Sequence, residues 1–288
     1  MAYSYSQPKS LQGTRGYTLV ELVVVMVLLG IVAIFSFSYI AFGARIYQDT
    51  TGREQLVSQT RFAVTRLSQE IRNAMPRSLR VSDTDNHRCI EFMPIVSSSN
   101  YVQIPRPGPS STDDFIGILP VRSSELLGNY LLVYATNPNF IYGTNNIRRK
   151  TIDTVVENSP ESGLVTLDYA DSPRFFPTNS PARRFYVTSN PVSWCYNETS
   201  GELERYSDYG LFGTQRSQAQ LFSNGLANRE VMAVGLANDI NDIEQLPFRV
   251  FEATLQRSSL VQFDWRFQRS GSNEPLQILH EVHVPNVP

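Results

Sequence analysis

One carboxylate in this sequence lies where an acid is energetically costly. Glu21 follows Gly16-Tyr17-Thr18-Leu19-Val20 and stands at the start of an apolar run, and no charged residue occurs between Glu21 and Arg45. At membrane depth a carboxylate costs roughly 2.5–3.5 kcal/mol, and such residues are usually functional and have a partner. We therefore expect Glu21 to meet a cationic group.

The residues before Glu21 indicate which cation that is. The leader from Met1 to Gly16 contains two basic residues and no acid. A basic leader, a glycine and an apolar run with one early acid resemble the processing signal of type IV prepilins and type II secretion pseudopilins. The resemblance implies cleavage between Gly16 and Tyr17 by a prepilin peptidase, which is also the N-methyltransferase of Tyr17. It further implies that Glu21 pairs with the new amine of a neighbouring subunit, since neither charge is stable alone in a low dielectric.

Tyr17 departs slightly from that family pattern, which more often has Phe at the first mature position. We still expect cleavage at this site, and the departure concerns methylation of the new amino group more than it concerns cleavage.

The uncharged run between Glu21 and Arg45 is long enough to cross a membrane. About 23 residues of helix span a hydrocarbon core of roughly 30 Å, and the basic leader predicts a cytoplasmic N-terminus with an exported C-terminal part. An ordinary signal peptide would have small residues where this chain has Phe35-Ser36-Phe37-Ser38-Tyr39. We expect a removed leader at residues 1–16 and a retained transmembrane helix at residues 17–44.

An amphipathic stem helix should follow the transmembrane helix, at residues 45–75. Its apolar residues recur at spacings of three, four and seven, which places them on one helix face. These residues are Leu56, Ala63, Leu67, Ile71 and Ala74. Pro76 ends the pattern, and bending is easiest at Gly43 and Thr50-Thr51-Gly52. The apolar stripe predicts packing of the stem on the sheet of the following domain.

Short β-type runs separated by turn residues follow Pro76. The clearest alternation covers residues 260–269 and continues, after a turn at Gly271, through residues 276–284. It predicts an antiparallel hairpin with one buried face. The residues expected on that face are Val261, Phe263, Trp265 and Phe267. Other predicted strands lie at residues 89–93, 115–119, 130–134, 163–167, 184–188, 192–196, 202–206 and 231–234.

Two segments rich in Pro, Ser and Asn, near residues 97–114 and 171–183, are predicted to be loops. The fold class expected is therefore α+β. By resemblance it is pilin-like, with a long N-terminal helix packed on an antiparallel β-sheet head. Extra strands and loops enlarge that head, which occupies residues 76–288.

The chain contains two cysteines, Cys89 and Cys195, and both lie in the part expected to be exported. In an oxidising periplasm a disulfide between them is the natural expectation. Closing a loop of about 106 residues contributes at most roughly 4.7 kcal/mol in the loop-entropy model. The alternative is two separate buried thiols.

The remaining candidates for chemistry are weak. His280-Glu281-Val282-His283 has one residue fewer than a zinc-protease motif, and on a strand its histidines point to opposite faces. Asp83-Thr84-Asp85-Asn86 and Asn238-Asp239-Ile240-Asn241-Asp242 offer oxygen ligands for calcium, but runs of this kind usually form turns. No nucleophile elbow or phosphate-binding loop occurs. We expect no enzymatic activity, no cofactor and no metal, with calcium as the lesser alternative.

The net charge of the chain bears on whether it binds nucleic acid. Removing Lys9 and Arg15 with the leader changes the net charge from −2 to −4, with 23 basic against 27 acidic residues. A mildly acidic chain disfavours a broad nucleic-acid-binding surface. We therefore expect no nucleic acid partner.

The size of the head indicates a minor subunit, because pilins that build the shaft tend to be smaller. Arg66-Leu67-Ser68-Gln69-Glu70-Ile71-Arg72-Asn73-Ala74 and His280-Glu281-Val282-His283-Val284-Pro285-Asn286-Val287-Pro288 resemble minor pilins of the mannose-sensitive haemagglutinin (MSHA) pilus system. The resemblance implies a tip or initiation role in few copies. The implied partners are the major pilin, other minor pilins and an inner-membrane assembly platform. The implied location is the bacterial inner membrane with a periplasmic head, then the pilus at the cell surface.

Two other functions fit the same sequence. The first phrase is shared with PilW-type minor pilins and J-type pseudopilins, so a J-like subunit of a type II secretion system is one alternative. A tip adhesin is the other, since 14 Tyr and 16 Phe could supply stacking surfaces for a ligand.

Overall fold

The computed structural model describes most of the chain after the leader. The described residues are 16–84, 86–108, 114–144, 147–158, 162–223, 225, 227–252, 259–268 and 276–284. The chain forms two compact units, Met1–Ser58 and Gln59–Pro288. The architecture is α+β, with a long apolar N-terminal helix followed by an antiparallel β-sheet head, as the sequence predicts.

The long helix, α1 (Leu19–Arg72), is unbroken at the positions where bending was expected. It passes through Gly43 and Thr50-Thr51-Gly52 as regular helix. The hydroxyl of Thr50 donates a hydrogen bond to the carbonyl of Ile46 at 2.9 Å, so this polar side chain is satisfied within the helix.

The helix ends at Arg72 rather than at residue 75, the limit expected for the stem. The next residues are taken up by a strand-like contact. Ala74 forms an isolated antiparallel bridge with Pro94, and the amide of Met75 donates to the carbonyl of Met93 at 2.8 Å. Backbone pairing with the head therefore replaces the last helical hydrogen bonds before Pro76 is reached.

The second unit contains fifteen strands among the described residues, together with two short α-helices and one 3₁₀ turn. The strands are β1 (Arg80–Thr84), β2 (His87–Phe92), β3 (Ile95–Gln103), β4 (Phe115–Ile118), β5 (Tyr130–Leu132), β6 (Arg149–Thr151), β7 (Thr154–Glu157), β8 (Leu164–Asp168), β9 (Arg184–Thr188), β10 (Val192–Asn197), β11 (Glu202–Ser207), β12 (Asn228–Ala233), β13 (Phe248–Phe251), β14 (Ser259–Phe267) and β15 (Leu276–Val284). The helical segments are Ser123–Glu125, α2 (Pro138–Tyr142) and α3 (Gln218–Ser223).

A five-stranded sheet receives the end of α1. Its strand order is β1-β2-β10-β11-β12, and all of its pairings are antiparallel. Ala63, Leu67 and Ile71 of the predicted apolar stripe are fully buried in the second unit, and Ala74 is nearly so. The predicted burial of this part of the stripe is confirmed.

A seven-stranded sheet, in the order β6-β5-β9-β3-β4-β8-β7, carries an apolar core cluster. Phe115 lies at its centre, with ring centroids of Tyr101, Phe176 and Phe185 between 5.4 and 5.9 Å away. Aromatic pairs at these distances contribute more than their buried area alone.

The predicted C-terminal hairpin is present as β14 and β15, which pair from Ser259↔Val284 to Phe267↔Leu276. Val261, Phe263, Trp265 and Phe267 are buried, as the alternation predicts. Strand β13 completes a three-stranded sheet on the other side of β14. Its turn at Gly271 lies outside the described residues.

The prediction of a loop beginning near residue 97 was wrong for its first part, because residues 95–103 form β3. This polar run lies between β9 and β4 and is shifted in register twice, at Ile95/Ser97 and at Tyr101/Gln103. The register shifts explain why the run does not show the strict alternation by which strands are recognised.

Candidate functional site

The start of α1 is shaped by Thr18. Its hydroxyl accepts a hydrogen bond from the amide of Glu21 at 3.2 Å, and its carbonyl accepts one from the amide of Leu22 at 3.2 Å. Thr18 is therefore the N-cap residue, and Glu21 occupies the third helical position of a T-x-x-E capping sequence. The interpretation of the sequence missed this role, although the spacing of the two residues would have revealed it.

The Glu21 carboxylate lies in the first turn of the helix and is exposed. A negative charge at this end of a helix is favoured by the helix dipole. It also stands at the edge of a stretch of exposed apolar side chains that includes Leu19, Leu29 and Phe35. The position therefore suits a carboxylate locally and leaves it open to a partner from another molecule.

Gly16 and Tyr17 lie just before the helix and have no regular secondary structure. Tyr17 is 83% exposed. A Cβ atom added at Gly16 would meet no other atom within 4 Å. Among the described residues the fold thus gives no steric reason for a glycine at residue 16.

The described residues contain one helix that is long and apolar enough to cross a membrane, and it is α1. The match to known families falls at the same place. The model described as the prokaryotic N-terminal methylation motif matches residues 11–37, a range that contains Gly16, Tyr17 and Glu21. This motif supports a protein of the type IV pilin family.

The match covers the leader and the beginning of α1 and leaves the head outside it. No curated protein and no solved structure matched the chain. A pilin-family protein is processed by prepilin peptidase and assembles with other pilins, and the exposed apolar helix is consistent with a membrane-anchored subunit of this kind. Pilins are structural subunits and are typically not enzymes.

Glu70 gives a structural reason for the phrase that runs from Arg66 to Ala74. Its carboxylate accepts hydrogen bonds from the Trp194 indole at 2.9 Å, the Arg205 guanidinium at 3.0 Å and the Arg66 guanidinium at 2.6 Å. Trp194 lies on β10 and Arg205 on β11, so Glu70 fastens the end of α1 to the five-stranded sheet. We call these contacts the Glu70 clasp.

Cys89 and Cys195 are joined by a disulfide that links the central strands β2 and β10. The two residues face each other directly in the register of the antiparallel pair. Both are fully buried, beneath Tyr209 and Leu221 of the segment that follows β11. The pairing is the one expected from the sequence.

Glu91, next to the disulfide on the same face of the sheet, is almost completely buried. Burial raises the pKa of its carboxyl, while hydrogen bonds from the Arg80 guanidinium and, at 2.8 Å, from the Tyr209 hydroxyl oppose the rise. Arg80 also donates to the carbonyls of Phe212 and Gly213. This ion pair holds the segment after β11 on the sheet.

Glu204, further along the same face of the sheet, differs from Glu91 in the direction in which its pKa is shifted. Burial raises the pKa of its carboxyl, but hydrogen bonds from Tyr206, Gln218 and Arg229 outweigh burial and leave the pKa below its ordinary value. The carboxylate therefore stays charged and ties α3 and β12 to β11. Its contacts describe a structural ion pair.

Lys150 is the most unusual cation of the seven-stranded sheet, because it is fully buried. Burial lowers the pKa of its amine to about 8, and the nearby Asp171 carboxylate limits the fall. The ammonium donates to the carbonyl of Pro173 at 2.5 Å. The contact holds the 171–183 loop, and no solvent reaches the amine.

The histidines of β15 point to opposite faces, as expected for a strand. His280 stacks on Phe263 with ring centroids 6.0 Å apart, whereas His283 is exposed. The two rings therefore do not converge on one point, which a shared metal ion would require.

The run from Asn238 to Asp242 is occupied by turn hydrogen bonds. Asp239 accepts from the amide of Asn241 at 2.8 Å, and Asp242 accepts from the amide of Glu244 at 2.9 Å. Asn238 is buried and bonds three backbone groups. In the earlier run, Asp83 pairs with Arg88, and Asp85 lies outside the described residues. Across the part of the chain that the structure describes, no cluster of three or more His, Cys, Asp or Glu residues could hold a metal.

Proposed function

We propose that this chain is a minor type IV pilin of the MSHA pilus system, similar to MshO, which enters the pilus in few copies at its tip or at the start of assembly. The methylation motif at residues 11–37 carries the pilin part of the proposal, supported by a glycine at residue 16 for which the described residues give no steric reason. The assignment to the MSHA system rests on the two phrases at residues 66–74 and 280–288. The head, residues 76–288, is large for a subunit that builds a shaft, and this favours a minor role.

In this proposal prepilin peptidase cuts between Gly16 and Tyr17 on the cytoplasmic side and methylates Tyr17. Residues 17–44 hold the subunit in the inner membrane and residues 45–75 form the stem, with the head in the periplasm. Glu21 then pairs with the N-terminal amine of a neighbouring pilin as the assembly platform adds the subunit. The exposed position of the Glu21 carboxylate on α1 supports this role.

A J-like subunit of a type II secretion system is the second candidate. It is kept because of the shared Arg66–Ala74 phrase, which the Glu70 clasp explains as a way to dock a stem on a sheet. Such docking serves a pseudopilin as well as a pilin.

A strain that lacks this chain distinguishes the candidates. We expect surface pili to fall at least tenfold by electron microscopy, and expression of the chain in trans to restore them. Normal pili with lost secretion would favour the pseudopilin, and normal pili with lost adherence would favour a tip adhesin. Either result would contradict the role proposed in pilus assembly.

A further inference from the structure

The segment that follows β11 lies over the disulfide of the five-stranded sheet. We call residues 208–223 the cover segment. Tyr209 and Leu221 of this segment pack on the two cysteines. Cys89 and Cys195 themselves have an exposed fraction of zero. The cover segment therefore closes one face of the sheet above the two sulfur atoms.

The sheet and α1 close the remaining sides of the disulfide. Neighbouring residues of a strand point to opposite faces. Trp194, next to Cys195, accordingly faces the end of α1, where its indole bonds the Glu70 carboxylate at 2.9 Å. Within the sheet, Ser82 and Glu204 flank the two cysteines in the same cross-strand row. Uncovering the sulfur atoms without breaking the sheet therefore requires the cover segment to move.

The Tyr209 hydroxyl fixes one end of the cover segment. It donates to the Glu91 carboxylate at 2.8 Å, and its oxygen lies 2.8 Å from the Ser193 hydroxyl. Glu91 and Ser193 face each other across β2 and β10, one row away from the disulfide. A single hydroxyl thus joins the cover segment to both of the strands that carry the cysteines.

Arg80 and Gln215 hold the middle of the cover segment. The Arg80 guanidinium donates to the carbonyls of Phe212 and Gly213 at 3.0 and 2.6 Å. The side-chain amide of Gln215 donates to the carbonyl of Cys89 at 3.2 Å. Opening of the segment breaks these bonds but leaves the strand pairing of the sheet intact, so it is a local event and does not require unfolding of the second unit.

Formation of the disulfide needs more room than the closed segment gives. In thiol–disulfide exchange, the thiolate of one cysteine attacks a disulfide of the oxidant, and a mixed disulfide forms as one oxidant thiolate leaves. The second cysteine then attacks the chain's own sulfur in the mixed disulfide, which closes the Cys89–Cys195 bond and releases the oxidant as a dithiol. Two electrons and two protons pass from the chain to the oxidant. Between the two steps a second molecule is bonded to a sulfur that the closed segment covers completely.

We propose that a protein of the thiol–disulfide oxidoreductase class forms the Cys89–Cys195 bond while the cover segment is open, and that the closed segment then shields the bond from reduction. The inference goes beyond the proposed function, since it concerns how the head is made and not where the subunit enters a pilus. Reduction of the finished disulfide passes through the same open state, so its rate reports opening of the cover segment.

Reduction of the full chain, purified in detergent micelles, tests the proposal. Thioredoxin, kept reduced by its reductase and NADPH, supplies the attacking dithiol. Samples are quenched in acid, denatured and alkylated with N-ethylmaleimide, and the intact mass gives the fraction of reduced chain. Tyr209→Phe keeps the ring over the sulfur atoms and removes the hydroxyl that holds the segment. We expect this variant to be reduced about tenfold faster than the wild type, because buried hydrogen bonds of this kind limit opening.

Tyr101→Phe is the matched control. Tyr101 lies on β3 of the seven-stranded sheet and is 4% exposed, as is Tyr209. Its hydroxyl bonds the backbone of Ser180 at 2.8 and 3.4 Å. The two variants lose comparable hydrogen bonds, but only one loses them beside the disulfide. We expect reduction of Tyr101→Phe to stay within about twofold of the wild-type rate, and urea unfolding followed by tryptophan fluorescence compares the stability of the two variants.

Gln215→Ala is a milder change that decides the question if Tyr209→Phe does not fold. It removes the bond to the Cys89 carbonyl from a half-buried side chain, and we expect reduction to become about threefold faster. A folded Tyr209→Phe that is reduced at the wild-type rate would overturn the proposal, and in its absence so would an unchanged rate in Gln215→Ala. An equal rise in Tyr101→Phe would also overturn it, because reduction would then follow unfolding of the whole second unit.

Discussion

At the scale of single residues, Glu21 has two physical reasons to be where it is. Its amide bonds Thr18, and its charge lies at the favourable end of the helix dipole. The proposed pairing with a neighbouring amine uses the same charge for a different purpose. The local role concerns the shape of the helix start, and the assembly role concerns the charge alone, so substitutions can separate them.

Glu21→Gln and Thr18→Ala make that separation. Glu21→Gln keeps the backbone hydrogen bond and removes the charge, and we expect a processed subunit with pili reduced at least tenfold. Thr18→Ala removes the N-cap at a cost of about 1 kcal/mol but keeps the charge, and we expect pili within about twofold of normal. Counts of surface pili beside immunoblots of the mature subunit check both. Equal pilus numbers in the wild type and Glu21→Gln would argue against a role in assembly.

The residue types in the sequence predicted some sites and gave no sign of others. Glu21 was recognisable because a single acid contrasts with an apolar run, and the Cys89–Cys195 pair because the exported part of the chain contains only these two cysteines. The partners of Glu70 were not recognisable, since Trp194 and Arg205 lie 124 and 135 positions further along the chain. No local pattern carries contacts of that separation.

At the scale of elements, α1 and the five-stranded sheet depend on the Glu70 clasp. Leu67 and Ile71 bury the apolar stripe, and Glu70 adds charge-assisted hydrogen bonds at the rim of the same contact. Bonds of this type contribute more than neutral ones when water is largely excluded. The clasp therefore sets where the stem meets the head, beyond what apolar burial alone specifies.

Glu70→Gln should destabilise the second unit by about 2 kcal/mol, because the largely buried Arg205 guanidinium would lose one of its two charged partners and keep only the exposed Glu230. Both tryptophans lie in this unit, so urea unfolding followed by tryptophan fluorescence reports its stability. Glu125→Gln is the matched control, since that carboxylate is exposed and its ion pair with Arg122 is long, at 3.9 Å. Equal midpoints for the two variants would mean that the clasp contributes nothing.

Strands could be predicted from the sequence where apolar and polar residues alternate, and not where they do not. The β14–β15 hairpin was predictable because one face is apolar along its whole length. Strand β3 was not, because Ser97, Ser98, Ser99 and Asn100 are polar and its pairing with β9 is shifted in register. Such a strand is held by its neighbours' backbones, and its own side chains give little sign of it.

At the scale of the whole molecule, the two units differ in what they indicate about function. The first contains the methylation motif and an exposed apolar helix, which support a pilin-family protein. Among its described residues the second contains three antiparallel sheets and a buried disulfide. The shared family signal lies in the first unit, and the individual role of the subunit depends on the second.

The account rests most directly on cleavage after Gly16. Because a Cβ at this residue meets nothing within 4 Å, Gly16→Asp should leave the fold intact and affect only recognition by the peptidase. Gly13→Asp adds the same charge to the leader and controls for its effect on membrane insertion. The measurement is the intact mass of the subunit purified from cells that contain prepilin peptidase.

We predict that the wild type and Gly13→Asp give a mature chain that begins at N-methylated Tyr17, and that Gly16→Asp gives the full-length precursor. A mature chain beginning at Tyr17, at normal level, from Gly16→Asp would contradict the account.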